Sequence, residues 1–193
     1  MKKCAVLLST ALTGVLAGTM SAQAQPAISA PAPCPAERAI YEMRTESGDF
    51  AAGFVPARSS AGIASNLYFQ LTTPQRSYWF KFAVANGYGG VSLVPISDPY
   101  AQAAATDGPR ELGAAETAAM GFYAFNDRLL ALDAPPQAGE ASPSYLMFPE
   151  VGAALWYGPA ALSEGATDER DPMPLGMFQR TQCLVAPPAP AYP

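Results

Sequence analysis

The side chains in this sequence best suited to chemistry are carboxylates and aromatic rings. Glu42, Asp49, Asp98, Asp127 and Glu150 lie on or beside stretches with strand character. Two acids flanking a glycosidic bond are enough for glycan hydrolysis, one donating a proton and the other acting as base or nucleophile. Their spacing singles out no pair, and 16 acidic residues in 193 also describe an ordinary acidic surface. The chain has no histidine. Histidine is the side chain whose ordinary pKa suits proton transfer near neutrality. Ser-His-Asp and Cys-His arrangements are therefore excluded, as are H-E-x-x-H and every other histidine metal site.

The remaining motifs are weak. Ser59-Ser60 stands two residues before Gly62 without a G-x-S-x-G frame. Gly87-Tyr88-Gly89-Gly90 lacks the lysine and the helix opening of a phosphate loop and reads as a turn. Thr167-Asp168-Glu169-Arg170-Asp171 offers oxygen ligands for Ca²⁺ but not at EF-hand spacing, with Arg170 in their midst. It reads as a solvated loop with local ion pairs. No catalytic residue, metal or cofactor is expected, and the leading reading is a non-catalytic protein. A hydrolase using two carboxylates on envelope glycans is the competing one, and a purely structural envelope component the third.

Aromatic rings give the candidate binding residues. Tyr68, Trp79 and Lys81 fall on one face of two strand-like stretches. If that face is open, they form a ring-stacking platform for a sugar or a peptide. Trp156 and Tyr157, just before Gly158-Pro159, complete the set. The bland reading of Trp79 is a ring that covers the core.

The elements that must hold these residues are strands. In Asn66–Thr73, Leu67, Phe69 and Leu71 alternate with Tyr68, Gln70 and Thr72. In Arg76–Val84, Tyr78, Phe80, Phe82 and Val84 alternate with Ser77, Trp79, Lys81 and Ala83. Such period-2 patterns in aromatic and β-branched segments mark half-buried strands. Asn86-Gly87 is a strong two-residue hairpin signal, and it predicts pairing of Phe82 with Val91, Lys81 with Ser92, Phe80 with Leu93 and Trp79 with Val94. Gly89-Gly90 leaves room for a longer loop that would shift this register. Further strands are expected at Ala39–Thr45, Phe50–Ala57, Gly121–Asn126, Tyr145–Phe148, Ala154–Tyr157 and Gly176–Leu184. Glu111–Met120 has helix-forming composition, and residues 98–110 and 131–144 read as loops. The fold class is all-β, mainly antiparallel. It is expected as a single-domain β-sandwich or small β-barrel with at most one or two short helices.

Residues 1–24 have the three parts of a secretory signal: a Lys2-Lys3 n-region, an apolar stretch from Cys4 to Leu16, and Ala22-Gln23-Ala24 before the cleavage point. The apolar stretch falls short of the roughly 20 residues of a spanning helix. Cleavage after Ala24 leaves 169 residues, with 9 basic against 16 acidic side chains and Lys81 the only lysine. Without a basic patch, neither nucleic acid nor an anionic membrane surface is an expected partner, and no membrane insertion is expected after cleavage. The mature chain is expected to be periplasmic or secreted, and its alanine-rich, lysine-poor composition points to a bacterium with a GC-rich genome. Its partner would be an envelope protein or a small ligand.

Two cysteines, Cys34 and Cys183, stay in the mature chain, and in an exported protein they read as one disulfide. Residues 25–36 and 186–193 are expected as Pro/Ala-rich tails outside the core, flanking a single β-rich domain over 37–185.

Overall fold

The computed structural model describes residues 33–58, 64–85, 90–101, 108–113, 120–164 and 169–192. The expected signal sequence, Ser59-Ser60, Asn86-Gly87, Thr167-Asp168 and positions 114–119 of the expected helix lie outside these residues. The strands are β1 (Ala39–Thr45), β2 (Gly48–Pro56), β3 (Leu67–Thr72), β4 (Ser77–Val84), β5 (Val91–Ile96), β6 (Met120–Phe125), β7 (Ala131–Leu132), β8 (Tyr145–Met147) and β9 (Phe178–Cys183). Among the described residues there are also one α-helix, α1 (Pro149–Tyr157), and single 3₁₀ turns at Ala36–Arg38 and Pro159–Ala161.

Eight strands close a barrel in the order β1-β2-β3-β4-β5-β6-β8-β9, with β9 returning to β1 and every pairing antiparallel. β7 extends from β6 as a two-residue flap, Ala124 opposite Leu132. Of the two architectures that the strand pattern allows, the chain adopts the barrel.

Alternation sets the inside. Tyr41 and Met43, Phe50 and Phe54, Leu67, Phe69 and Leu71, Phe80 and Phe82, and Phe122 all point inward and are buried. Phe69 lies at the middle, its ring centroid 5.8 Å from Phe54, 5.9 Å from Phe80, 5.6 Å from Phe122 and 5.2 Å from Phe148. Burying each such ring stabilises the fold by about 1.5–3 kcal/mol. An eight-stranded barrel is just wide enough for side chains to fill, and here the phenylalanines fill it.

The structure corrects two local expectations. Ala154–Tyr157 is the last turn of α1, not a strand. Phe148, Val151 and Leu155 repeat at helical spacing and are buried, and Pro149 occupies the first helical position, where its missing N–H costs nothing. The β4–β5 register also differs. Phe82 pairs with Leu93, Lys81 with Val94 and Trp79 with Ile96, two residues further along β5 than a two-residue turn predicts. The Ala85 N–H donates to the Gly90 carbonyl at 3.3 Å, so the connection is longer. Gly90, at φ 67°, takes the left-handed conformation that glycine adopts without strain. A shift of two preserves facing, whereas a shift of one would turn β5 inside out.

At the expected helix 111–120, Glu111 bridges to Ile96 and Met120 opens β6. The sulfurs of Cys34 and Cys183 are 2.09 Å apart, beside the pairing of Ala39 with Cys183.

Candidate functional site

Four outward-facing residues of the barrel are buried. Val55 on β2, Tyr68 on β3, Trp79 on β4 and Ile96 on β5 form a second apolar cluster, separate from the interior. Outward positions of a barrel ordinarily meet water. Here the cover is the Pro/Ala segment near the end of the sequence, which completes the cluster with Ala191, itself 0% exposed. Residues 186–193, expected as a tail outside the core, thus lie outside the barrel but fold back along its wall.

The segment is held as a strand would be. Ala191 pairs in parallel with Ala57 beyond the end of β2. Its N–H donates to the Pro56 carbonyl at 2.8 Å, and its carbonyl accepts from the Arg58 N–H at 2.9 Å. The Tyr192 N–H donates to the Pro99 carbonyl at 3.1 Å, and the Tyr100 hydroxyl donates to the Ala189 carbonyl at 2.6 Å. The Arg58 guanidinium lies 4.2 Å above the Tyr192 ring, within cation–π range. Tyr100 also meets Trp79 edge-on, at 5.5 Å between centroids. Burial raises the Tyr68 hydroxyl pKa to about 12. Tyr100 moves in the same direction, first by burial and then by the Asp98 carboxylate. Beyond Trp79 and Ile96 the groove continues into a cavity of about 350 Å³ that also meets Ser77, Asp98, Leu162, Ser163 and Glu164.

The candidate residues divide between places. Tyr68 and Trp79 meet in this groove, but under the folded-back segment and not as an open platform. Lys81 lies on the same outer face, half-exposed and paired with Glu111. Trp156 and Tyr157 end α1 and do not join the cluster. Trp156 lies beneath the Arg170 guanidinium at 4.8 Å, and Tyr157 is 84% exposed.

The five candidate acids sit on separate elements. Glu42 on β1 accepts from Arg44 at 2.8 Å, and Asp49 on β2 stands opposite that same arginine. Asp98 follows β5 and accepts the Tyr100 N–H at 2.8 Å. Asp127 is exposed after β6. Glu150, in the first turn of α1, accepts the Gly121 N–H at 3.0 Å.

One acid escaped the sequence reading. Asp171, placed there in a solvated loop, is 1% exposed. Its carboxylate accepts the Thr73 hydroxyl at 2.6 Å and the Tyr78 hydroxyl at 2.8 Å. Burial, and then this carboxylate, raise the Tyr78 pKa well above its ordinary value. The partners lie 98 and 93 positions away, so no local spacing signals them.

No family model, curated protein or solved structure matches this chain. The groove therefore has to be read from its own groups. Its polar members are main-chain carbonyls and amides, the Tyr68 and Tyr100 hydroxyls and the Arg58 guanidinium, with Asp98 and Glu164 in the adjoining cavity, and its floor is apolar. Such a surface satisfies an extended backbone and accepts a small side chain.

A wider groove of about 520 Å³ includes Val84, Val91, Phe122, Tyr123 and Leu132 in its wall.

Proposed function

We propose that this chain is an exported, non-catalytic β-barrel, periplasmic or secreted, that binds an extended segment of an envelope protein on the outer face of β2–β5. One observation carries the reading: that face already holds a peptide segment by strand-type hydrogen bonds on both sides of Ala191. Adding an extended peptide to exposed main-chain groups is a recurring recognition mode, in which backbone bonds supply affinity and side-chain pockets supply selectivity. The packed phenylalanine interior directs the reading to the outside of the barrel. The hydrolase alternative draws less support, because Glu42 and Asp98 are engaged by donors two residues away and Glu150 by the Gly121 N–H on β6.

The test uses the mature chain ended at Val185, with its fold checked by circular dichroism. Extended eight-residue peptides are titrated against it while tryptophan fluorescence reports on Trp79. A saturable change that is lost in Trp79→Phe is expected. A folded protein that no extended peptide binds would refute the proposal.

A further inference from the structure

We infer that the groove selects a Pro/Ala-rich segment carrying a small residue followed by an aromatic one, and that Ala189–Tyr192 is its displaceable resident. This rests on the peptide-binding reading above and adds the ligand's sequence and the site's regulation.

The selectivity follows from what each position meets. The residue at position 191 is enclosed by Val55, Tyr68, Trp79 and Ile96 and has no exposed surface, so the pocket takes a methyl and refuses anything large. The next residue needs a ring to lie under the Arg58 guanidinium. Among the described residues, two N–H groups of the segment, those of Ala191 and Tyr192, donate to the barrel. Pro190 and Pro188 have no N–H to give, so prolines are free to occupy the positions where no donor is used. Proline also stiffens the chain in extended form, which lowers the ordering cost of docking.

Displaceability follows from how the segment is tethered. β9 ends at Cys183, fixed by its partner Cys34. The Leu184 N–H still donates to the Arg38 carbonyl at 2.8 Å, and then Val185 is 95% exposed. The next hydrogen bond from the segment to the barrel, among the described residues, is at Ala189. The docked part is four residues on a short leash. A short tether that spans the distance holds its ligand at an effective concentration of about 1 mM. Against a free peptide with a dissociation constant of about 100 µM, that occupancy weakens apparent binding about tenfold.

The experiment compares the full mature chain with the version ended at Val185, using fluorescein-labelled Ala-Pro-Pro-Ala-Pro-Ala-Tyr-Pro and anisotropy. The shortened chain is expected to bind saturably, and the full chain about tenfold more weakly. A peptide with Trp at the position equivalent to Ala191 should lose binding. The full-length variant Ala191→Trp, whose own segment no longer fits, should bind the normal peptide within about twofold of the shortened chain. That variant keeps the test available if shortening the chain prevents folding. Equal binding by full and shortened chains, or indifference to the Ala-Tyr pair while other extended peptides bind, overturns this inference and leaves the broader reading intact. A full chain that elutes as a dimer, and as a monomer once shortened, also overturns it, because the segment then docks on a second copy. Failure of every extended peptide removes both.

Discussion

Asp171 shows how far burial can depart from sequence neighbourhood. Its neighbours Glu169 and Arg170 are exposed, with Glu169 3.6 Å from Arg76, yet its own carboxylate is sealed between Thr73 and Tyr78. Hydrogen bonds to a charged group contribute about 1.5–3 kcal/mol each, and stripping the acceptor leaves the buried Tyr78 hydroxyl unpaired, while the Thr73 hydroxyl keeps the Arg76 carbonyl at 3.1 Å. Asp171→Ala is therefore expected to cost about 2–4 kcal/mol in urea unfolding. Tyr78→Phe, which removes one donor and leaves the other bond in place, should cost about 1–2 kcal/mol. Equal losses in the two variants would mean that ring packing matters here and the acid does not. Buried tyrosines also set an alkaline limit. Tyr41, Tyr68 and Tyr78 all have pKa values raised above 10, chiefly by burial. Above pH 10 the unfolded chain releases phenolic protons that the native chain retains, so stability falls as pH rises. Below pH 10 both states keep them and these groups contribute no slope. Each tyrosine adds at most about 1.4 kcal/mol per pH unit. Urea midpoints are expected to be level from pH 8 to 9.5 and to drop between pH 10 and 11.5, with the 295 nm phenolate signal rising as the protein unfolds. A midpoint unchanged at pH 11 would exclude a buried phenol in the native state.

Helix α1 is the element whose packing makes the sharpest prediction. An alanine in a helix is ordinarily favoured over glycine by about 1 kcal/mol. At Gly152 a Cβ would lie 2.7 Å from the Met173 carbonyl oxygen, and a backbone oxygen in the segment behind Asp171 cannot rotate aside. Gly152→Ala should thus destabilise by about 1–3 kcal/mol, reversing the usual sign. A raised melting temperature would mean that the segment 171–176 moves freely over the helix. The same element shows what the sequence made legible. Strands β1, β3 and β4 are readable because facing alternates residue by residue, and a handful of positions is enough to see it. Ala154–Tyr157, taken alone, is one helical turn and carries no period. Its helical character appears only when Phe148, Val151 and Leu155 are taken together across Pro149. The β4–β5 register depended on loop length, which the Asn86-Gly87 signal understated, although Phe82 and Leu93 both remain inside. The outward direction of Tyr68 and Trp79 was legible, but their cover was not. Ala191 reaches them from more than a hundred positions away, in a low-complexity stretch with no hydrophobic pattern of its own.

At the scale of the whole molecule, the barrel closes on its first and last long strands. The β1–β9 pairing slips by one residue between Ile40 and Tyr41, and it joins segments whose cysteines are 149 positions apart. In the unfolded chain these segments meet only by closing almost the entire domain into a loop. A cross-link over that span is worth about 5 kcal/mol on the chain-entropy account. The bridge also binds more than two tails. Pro35 pairs with Ala141, the Ser142 N–H donates to the Cys34 carbonyl at 2.8 Å, and Arg38 bonds the Leu184 carbonyl, so Cys34 and Cys183 staple the seam at which the barrel shuts. Without the bridge, the seam depends on its hydrogen bonds and on inward residues such as Tyr41 and Phe178. The sheet from β2 to β5 keeps its local hairpins. Cys34→Ser with Cys183→Ser is expected to lose about 2–5 kcal/mol of stability. Under native conditions its amide exchange should accelerate first in β1, β9 and residues 34–36, while β3 and β4 stay protected. An intact barrel that loses protection uniformly would place the bridge's effect in the unfolded chain alone, and a melt unchanged in the double variant would show that the β1–β9 pairing closes the barrel without help. A closed barrel presents no continuous free edge for pairing with other chains. Opening this seam would expose two edges at once, so the double variant is also expected to aggregate at temperatures where the bridged protein stays dispersed, read by light scattering during the melt.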